Sequence, residues 1–195
     1  MNSEPHQIQD MPQQPKKLAR RPQFRGMPVP FTAMIDKNGV PDFKTTDTRQ
    51  WYKCAKEDLC GLCGRPNKKG AVVFIGGGVC KETLCFFDPG MHAACAIYAL
   101  RVCPFLAHKV GYKPIESVQG RHEVELHVDV TMSAPPERFY FFVANKWRLA
   151  KVVSKGGAAQ TLFNIDPLQL RARSSIPKEE PEREATLKLL EERFA

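Results

Sequence analysis

No stretch of this 195-residue chain approaches the roughly 18 consecutive apolar residues that a membrane-spanning helix needs. Met1 to Pro15 is polar and rich in Gln and Pro, without the charged-then-apolar layout of a secretory leader. Internal repeats are missing. So are a nucleophile elbow, a dinucleotide-binding glycine turn and a phosphate loop. Gly76-Gly77-Gly78 has no helix start or Lys after it in the phosphate-loop pattern and reads as a hairpin turn. These absences argue against a membrane-embedded chain and leave no signature of a nucleotide enzyme or a serine hydrolase. They set the expectation of a cytoplasmic protein that keeps its thiols reduced.

That compartment decides how the seven cysteines are read. All lie between Cys54 and Cys103. In a reducing cell, clustered Cys with a Cys-x2-Cys spacing points to a metal rather than to disulfides. Two short pairs stand out: Cys60-Gly-Leu-Cys63 followed by Gly64, and His92-Ala-Ala-Cys95. Zinc takes four N or S ligands tetrahedrally, and two pairs spaced i, i+3 supply them. A Cys-x2-Cys-Gly turn lets two sulfurs converge, with Gly accepting an unusual dihedral. Residues i and i+3 on a helix share a face, and first-turn amides offset thiolate charge. Three thiolates, a neutral imidazole and Zn2+ sum to −1. The expected cofactor is one structural zinc on Cys60, Cys63, His92 and Cys95, with the ligand set already full.

Cys54, Cys80, Cys85 and Cys103 remain. They match a second, all-thiolate site in number, but Cys80-x4-Cys85 is a poor knuckle, and single buried Cys behave as small hydrophobes. His122 and His127 have an odd spacing on an expected strand, so they face opposite sides, and His108 has no evident partner.

The chain is long enough for one domain with a real core or two small ones with tails. Residues 1–26 read as a disordered tail carrying the basic run Lys16-Lys17-Leu18-Ala19-Arg20-Arg21. Residues 27–110 read as the zinc module. Within it Asn38-Gly39 marks a turn, Thr46-Asp47 caps a short helix through Trp51, Ala55 and Leu59, and Ala71–Ile75 and Thr83–Phe87 form a β-hairpin. Asp88-Pro89 then caps a helix apolar nearly all round, hence buried, and stopped by Pro104. Residues 111–175 read as a small antiparallel sheet: an alternating strand over Glu123–Val130, then Arg138–Val143, Trp147–Val153 and Gln160–Ile165, with Gly156-Gly157 turning between the last two. Residues 176–195 are net acidic and end in a short amphipathic helix. The fold class is α+β.

Knuckle, hairpin, then a helix bearing the last two ligands resembles the treble-clef zinc-finger group, with Cys60, Cys63, His92 and Cys95 at the matching positions. The run from His92 through Cys103-Pro104-Phe105-Leu106 also resembles that of uncharacterised bacterial and phage zinc-binding proteins, which suggests a bacterial or phage-infected host cell and implies no activity. The treble-clef group includes HNH-type nucleases. Those need a general-base His on the hairpin and a catalytic metal, whereas Ala71–Phe87 has no His, its only acid is Glu82, and Asp88 is explained as a cap.

The expected function is a non-enzymatic binding protein. Formal net charge is +8, which suits a nucleic-acid partner through counterion release and equally suits simple solubility. The candidate nucleic-acid contacts are Lys16, Lys17, Arg20 and Arg21 on the tail and Lys68 and Lys69 beside the knuckle. Phe139–Phe142 would add a stacking face if exposed. The alternative is a protein-interaction module, such as a phage or host factor that modulates a partner protein. No membrane partner is expected.

Overall fold

The computed structural model describes residues 12–107, 136–153 and 159–194. The expected strand over Glu123–Val130, the Gly156-Gly157 turn, and His108, His122 and His127 lie outside them. The described residues form an α+β arrangement of small antiparallel sheets and helices. In chain order the elements are β1 (Gln23–Phe24), β2 (Met27–Pro28), β3 (Ala33–Ile35), β4 (Pro41–Thr46), α1 (Thr48–Glu57), β5 (Val72–Gly76), α2 (Gly78–Thr83), β6 (Cys85–Phe86), α3 (Ala93–Val102), β7 (Phe139–Ala144), β8 (Arg148–Val153), β9 (Ala159–Asn164), β10 (Leu170–Ile176) and α4 (Glu182–Phe194). No helix among the described residues is long and apolar enough to cross a membrane.

Two three-stranded sheets organise the core, in the orders β10-β7-β5 and β6-β9-β8. The first is the central layer, and its middle strand explains its own sequence. Phe139, Phe141 and Val143 point to one face, where they meet Ala96, Ile97 and Leu100 of α3 and Leu187 and Leu190 of α4. Phe142 and Ala144 point to the other, against Trp51, Phe86, Phe163 and Ile165. A strand buried on both faces reads as a continuous apolar run rather than an alternating one. The expected stacking face is therefore spent inside: Phe139, Phe141 and Phe142 are buried and Tyr140 is half-buried.

The hairpin expected between the two ligand pairs is not formed. Val72–Gly76 pairs with β7, and Cys85–Phe86 pairs with β9 in the other sheet. Gly76-Gly77-Gly78 is not a turn but the entry to α2, which Leu84 closes in a left-handed conformation, its N–H donating to the Cys80 carbonyl. Six helical residues between the strands separate them too far for a tight hairpin. Strands from either side of residue 110 thus share both sheets.

Other local signals act as read. Asp36 Oδ1 accepts the Asn38 and Val40 amides at 2.9 and 2.8 Å and shapes the β3–β4 turn. Asp47 caps α1 by accepting the Arg49 amide at 2.9 Å. Asp88-Pro89, in contrast, does not cap α3, whose N-cap is His92. Met91 exchanges two backbone hydrogen bonds with Val73, at 2.7 and 2.8 Å, and this bridge keeps the chain extended up to His92.

The segment assigned to a disordered tail is the largest departure. Residues 12–26 are placed, and Leu18 is fully enclosed. Its amide donates to the Pro15 carbonyl, and its own carbonyl accepts from Arg21, so the basic run is wound into tight turns. Burying Leu18 contributes about 1.5–3 kcal/mol and acts together with the Arg21 bonds to the Val29 and Pro30 carbonyls in holding the segment.

Candidate metal centre

Cys60 and Cys63 are held by a loop that leaves α1 at Asp58 and folds back through the Leu59–Pro66 bridge. The Cys60 amide donates to the Arg65 carbonyl and the Gly64 amide to the Cys60 carbonyl, both at 2.8 Å. Gly64 has φ +71°, and a Cβ there would stand 2.5 Å from Cδ2 of Phe31. Only glycine meets both demands. Gly61 donates to the Gly90 carbonyl at 3.1 Å, which ties the loop to the approach of α3. There His92 is the N-cap and Cys95 sits in the first turn.

The four side chains are buried, and their ligand atoms all lie within 4.8 Å of one another. His92 Nδ1 is 3.4 Å from Cys63 Sγ and 4.0 Å from Cys95 Sγ. On the far side of the ring, Nε2 lies 2.9 Å from the Pro66 carbonyl. A carbonyl only accepts, so Nε2 carries a hydrogen, and Nδ1 is the nitrogen that faces the sulfurs. Such a second hydrogen bond is what orients a metal-ligating histidine. The cluster can hold one metal ion.

Its electrostatics point the same way. Burial pulls the His92 imidazolium down, but contact with the Cys60 and Cys63 sulfurs outweighs it and holds the pKa up to about 9. Hydrogen bonds from Cys60 and Cys95 hold Cys63 far below the usual thiol range. Cys95, donating to Cys60 and Cys63, is held above it. Without a cation, these donors hold protons that a metal ion would displace.

An apolar shell closes over the sulfurs. Leu18 and Tyr98 are buried against Cys60, Cys63 and Cys95, with Leu62, Met91 and Val102 around them. Leu18 was missed as part of the centre. The signal was present, since it is the one large apolar residue in a basic run, but sequence does not say where it docks. The Pro66 carbonyl was equally invisible, because a backbone acceptor leaves no trace in residue type.

The remaining cysteines form no second cluster among the described residues. Burial raises Cys54 to about 12 and Cys80 to about 11, and raises Cys103 as well. The basic residues divide. Lys16, Arg20, Lys68 and Lys69 are exposed, and Lys17 is half-buried. Arg21 is spent on structure: Nε donates to the Val29 carbonyl at 2.9 Å, a terminal nitrogen donates to that of Pro30 at 3.3 Å, and the guanidinium lies 5.5 Å from the Phe31 ring centroid. Burial pulls its pKa down. Compared with protein-family models, with curated proteins and with solved structures, the chain matches none.

Proposed function

We propose that this is a non-enzymatic binding protein built around one structural zinc ion and that its partner is nucleic acid. The carrying observation is the closed, buried set of three cysteines and one histidine, with the spare histidine nitrogen committed to Pro66. Tetrahedral zinc with Zn–S of about 2.3 Å and Zn–N of about 2.0–2.1 Å would set its ligands about 3.5–3.8 Å apart. The His92–sulfur distances of 3.4 and 4.0 Å bracket that spacing. A catalytic zinc keeps a position for water, whereas here four protein ligands fill the tetrahedron. The treble-clef resemblance is reduced to the knuckle and the helix start, which bring Cys60, Cys63, His92 and Cys95 together where the ion would sit.

The zinc reading is tested by metal analysis of purified protein. One zinc per chain is expected, and Cys63→Ser should lose it together with much of the folded signal, because structural zinc binding is coupled to folding. Full zinc in that variant would overturn the assignment. The partner reading rests on the net charge of +8 and on the exposed Lys16, Arg20, Lys68 and Lys69. Oligonucleotide binding that weakens steeply with salt is expected. No binding at low salt would sink it.

One observation favours a protein partner as the second reading. Among the described residues β8 is an edge strand and exposes Leu149, Val152 and Val153, the kind of edge to which another chain can add a strand. A stoichiometric protein that co-purifies after nuclease treatment would support this reading.

A further inference from the structure

Strand β10 gathers cations that are far apart in sequence. Its Arg171 donates to the Gly70 carbonyl at 2.6 Å, which brings it beside Lys69. Arg173 donates to the Lys81 carbonyl at 3.3 Å. Lys81 in turn places its ammonium 5.8 Å from the centroid of the Tyr140 ring. In the register of the sheet Tyr140 stands opposite Ser175, whose hydroxyl accepts from Arg138 at 3.4 Å. Arg171 and Arg173 therefore reach from β10 across the face of β7 toward Lys69 and Lys81, which flank β5, and Arg138 lies at the start of β7, so the five cations gather over one face of this sheet. From the Leu170 row to the Ser175 row this face runs about 15 Å at the usual rise per residue.

Among the described residues, no carboxylate lies within ion-pair distance of Arg138, Arg171 or Arg173; the acids along the stripe are Glu82, paired with Lys81 at 3.5 Å, and the exposed Glu137. Arg101 shows the contrast: it is half-buried between α3 and α4 and neutralised by both Glu184 and Glu191. Among the described residues each arginine of the stripe makes one hydrogen bond, at 3.4, 2.6 and 3.3 Å for Arg138, Arg171 and Arg173, and a guanidinium carries five N–H donors, so donors remain for a ligand. Fixed, unpaired guanidinium groups suit phosphate, which they hold by two parallel hydrogen bonds.

We infer that this β10 stripe, rather than the basic N-terminal run, is the main contact for the phosphodiester backbone of a nucleic acid. The inference rests on the nucleic-acid reading above and names the surface that carries it. It also explains why Lys69, beside the knuckle, shares that role: Arg171 extends the stripe to it.

The test is fluorescence anisotropy of the full-length zinc-loaded protein with a single-stranded and a duplex oligonucleotide of equal length, over a salt series. Each lost phosphate contact lowers the slope of log K against log salt by about 0.7 for a single strand and about 0.9 for duplex. Replacing Arg138, Arg171 and Arg173 with Gln should therefore lower the slope by about 2 to 3 and weaken binding on the order of a hundredfold near 0.1 M salt. The oligonucleotide that shows this loss identifies the strand form bound. Zinc content and circular dichroism should be unchanged. The single variants Arg171→Gln and Arg173→Gln should each lower the slope by about one contact, and they decide the matter if the triple variant does not fold. If the wild type binds and these variants bind equally well, while Lys16→Gln with Lys17→Gln and Arg20→Gln weakens binding, the inference is overturned and the nucleic-acid reading stands. If the wild type binds neither oligonucleotide at low salt, both fall.

Discussion

Leu18→Ala tests whether the N-terminal segment is part of the metal centre. Leu18 is fully enclosed and sits against Cys60, Cys63, Cys95 and Tyr98. The substitution removes three carbons. At about 0.8 kcal/mol per buried methylene that is about 2.4 kcal/mol, and the residual cavity brings it to about 3 kcal/mol. Arg21 remains to hold the segment through Val29 and Pro30, so the variant stays docked most of the time but undocks more often. An energy of about 3 kcal/mol is about 150-fold in that equilibrium. A chelator reaches the sulfurs only when the apolar lid is off. The rate of zinc transfer to a chromophoric chelator in excess should therefore rise on the order of a hundredfold. Leu189→Ala serves as the control: that residue is 65% exposed on α4, and its removal should change the rate no more than about twofold. Equal transfer rates for Leu18→Ala and wild type, at equal zinc content, would refute the reasoning and return residues 12–26 to the status of a tail.

The pH dependence of zinc binding follows from the cluster. His92, held up to about 9, and Cys95, held above the ordinary thiol range, both favour their protonated forms without a cation. Protons therefore oppose the metal, and affinity falls as pH falls. Displacing at least two protons makes the affinity climb about a hundredfold per pH unit through neutrality and more gently, by about tenfold per unit, once pH passes about 9 and the His92 proton is gone; competition against an indicator dye measures the slope, and a flat profile would contradict it. Gly64→Ala forces a Cβ into φ +71° and into the Phe31 ring, which should cost at least about 2 kcal/mol in denaturant unfolding. Arg183 is buried and donates to the carbonyls of Pro177, Leu100 and Leu106 at 3.0, 2.6 and 2.9 Å. Arg183→Ala should cost about 3 kcal/mol, and Arg183→Lys less but not nothing, because an ammonium keeps some of the three acceptors and cannot reach them all. A loss under about 1 kcal/mol in urea unfolding would show that these three carbonyls find other partners.

The clustering of Cys60, Cys63, His92 and Cys95, most element positions and the caps on local turns were legible because their physics is local. Two pairs of metal donors spaced i, i+3 need only a turn and a helix start. Asp47 and Asp36 act on amides two to four residues away. The continuous run Phe139–Ala144 announces a strand buried on both faces. Strand partnership was not legible. Val72–Gly76 and Cys85–Phe86 look like a hairpin because they are close in sequence, yet each pairs with a strand that follows more than sixty residues later. A glycine triplet fits a turn and a helix entry equally well. What decides is the core that closes when β7 enters between β5 and β10, and that is a property of the assembled layers.

The same limit governs charge. Arg21, Arg101, Arg183, Arg171 and Arg173 are one residue type, and composition counts them alike. Three of them are spent within the fold: Arg21 on carbonyls beside the knuckle, Arg101 on two glutamates, and Arg183 on the end of α3. Their charge is hidden or cancelled and draws in no counterion that a partner could release. Arg171 and Arg173 rest on single carbonyls along an exposed strand, so their charge reaches the solvent undiminished. A net charge of +8 is thus a poor guide to where a polyanion would bind. The basic run that draws the eye in the sequence is anchored by a buried leucine and a half-buried arginine, whereas the residues of β10, scattered among serines and alanines, present the field that a phosphate backbone would meet.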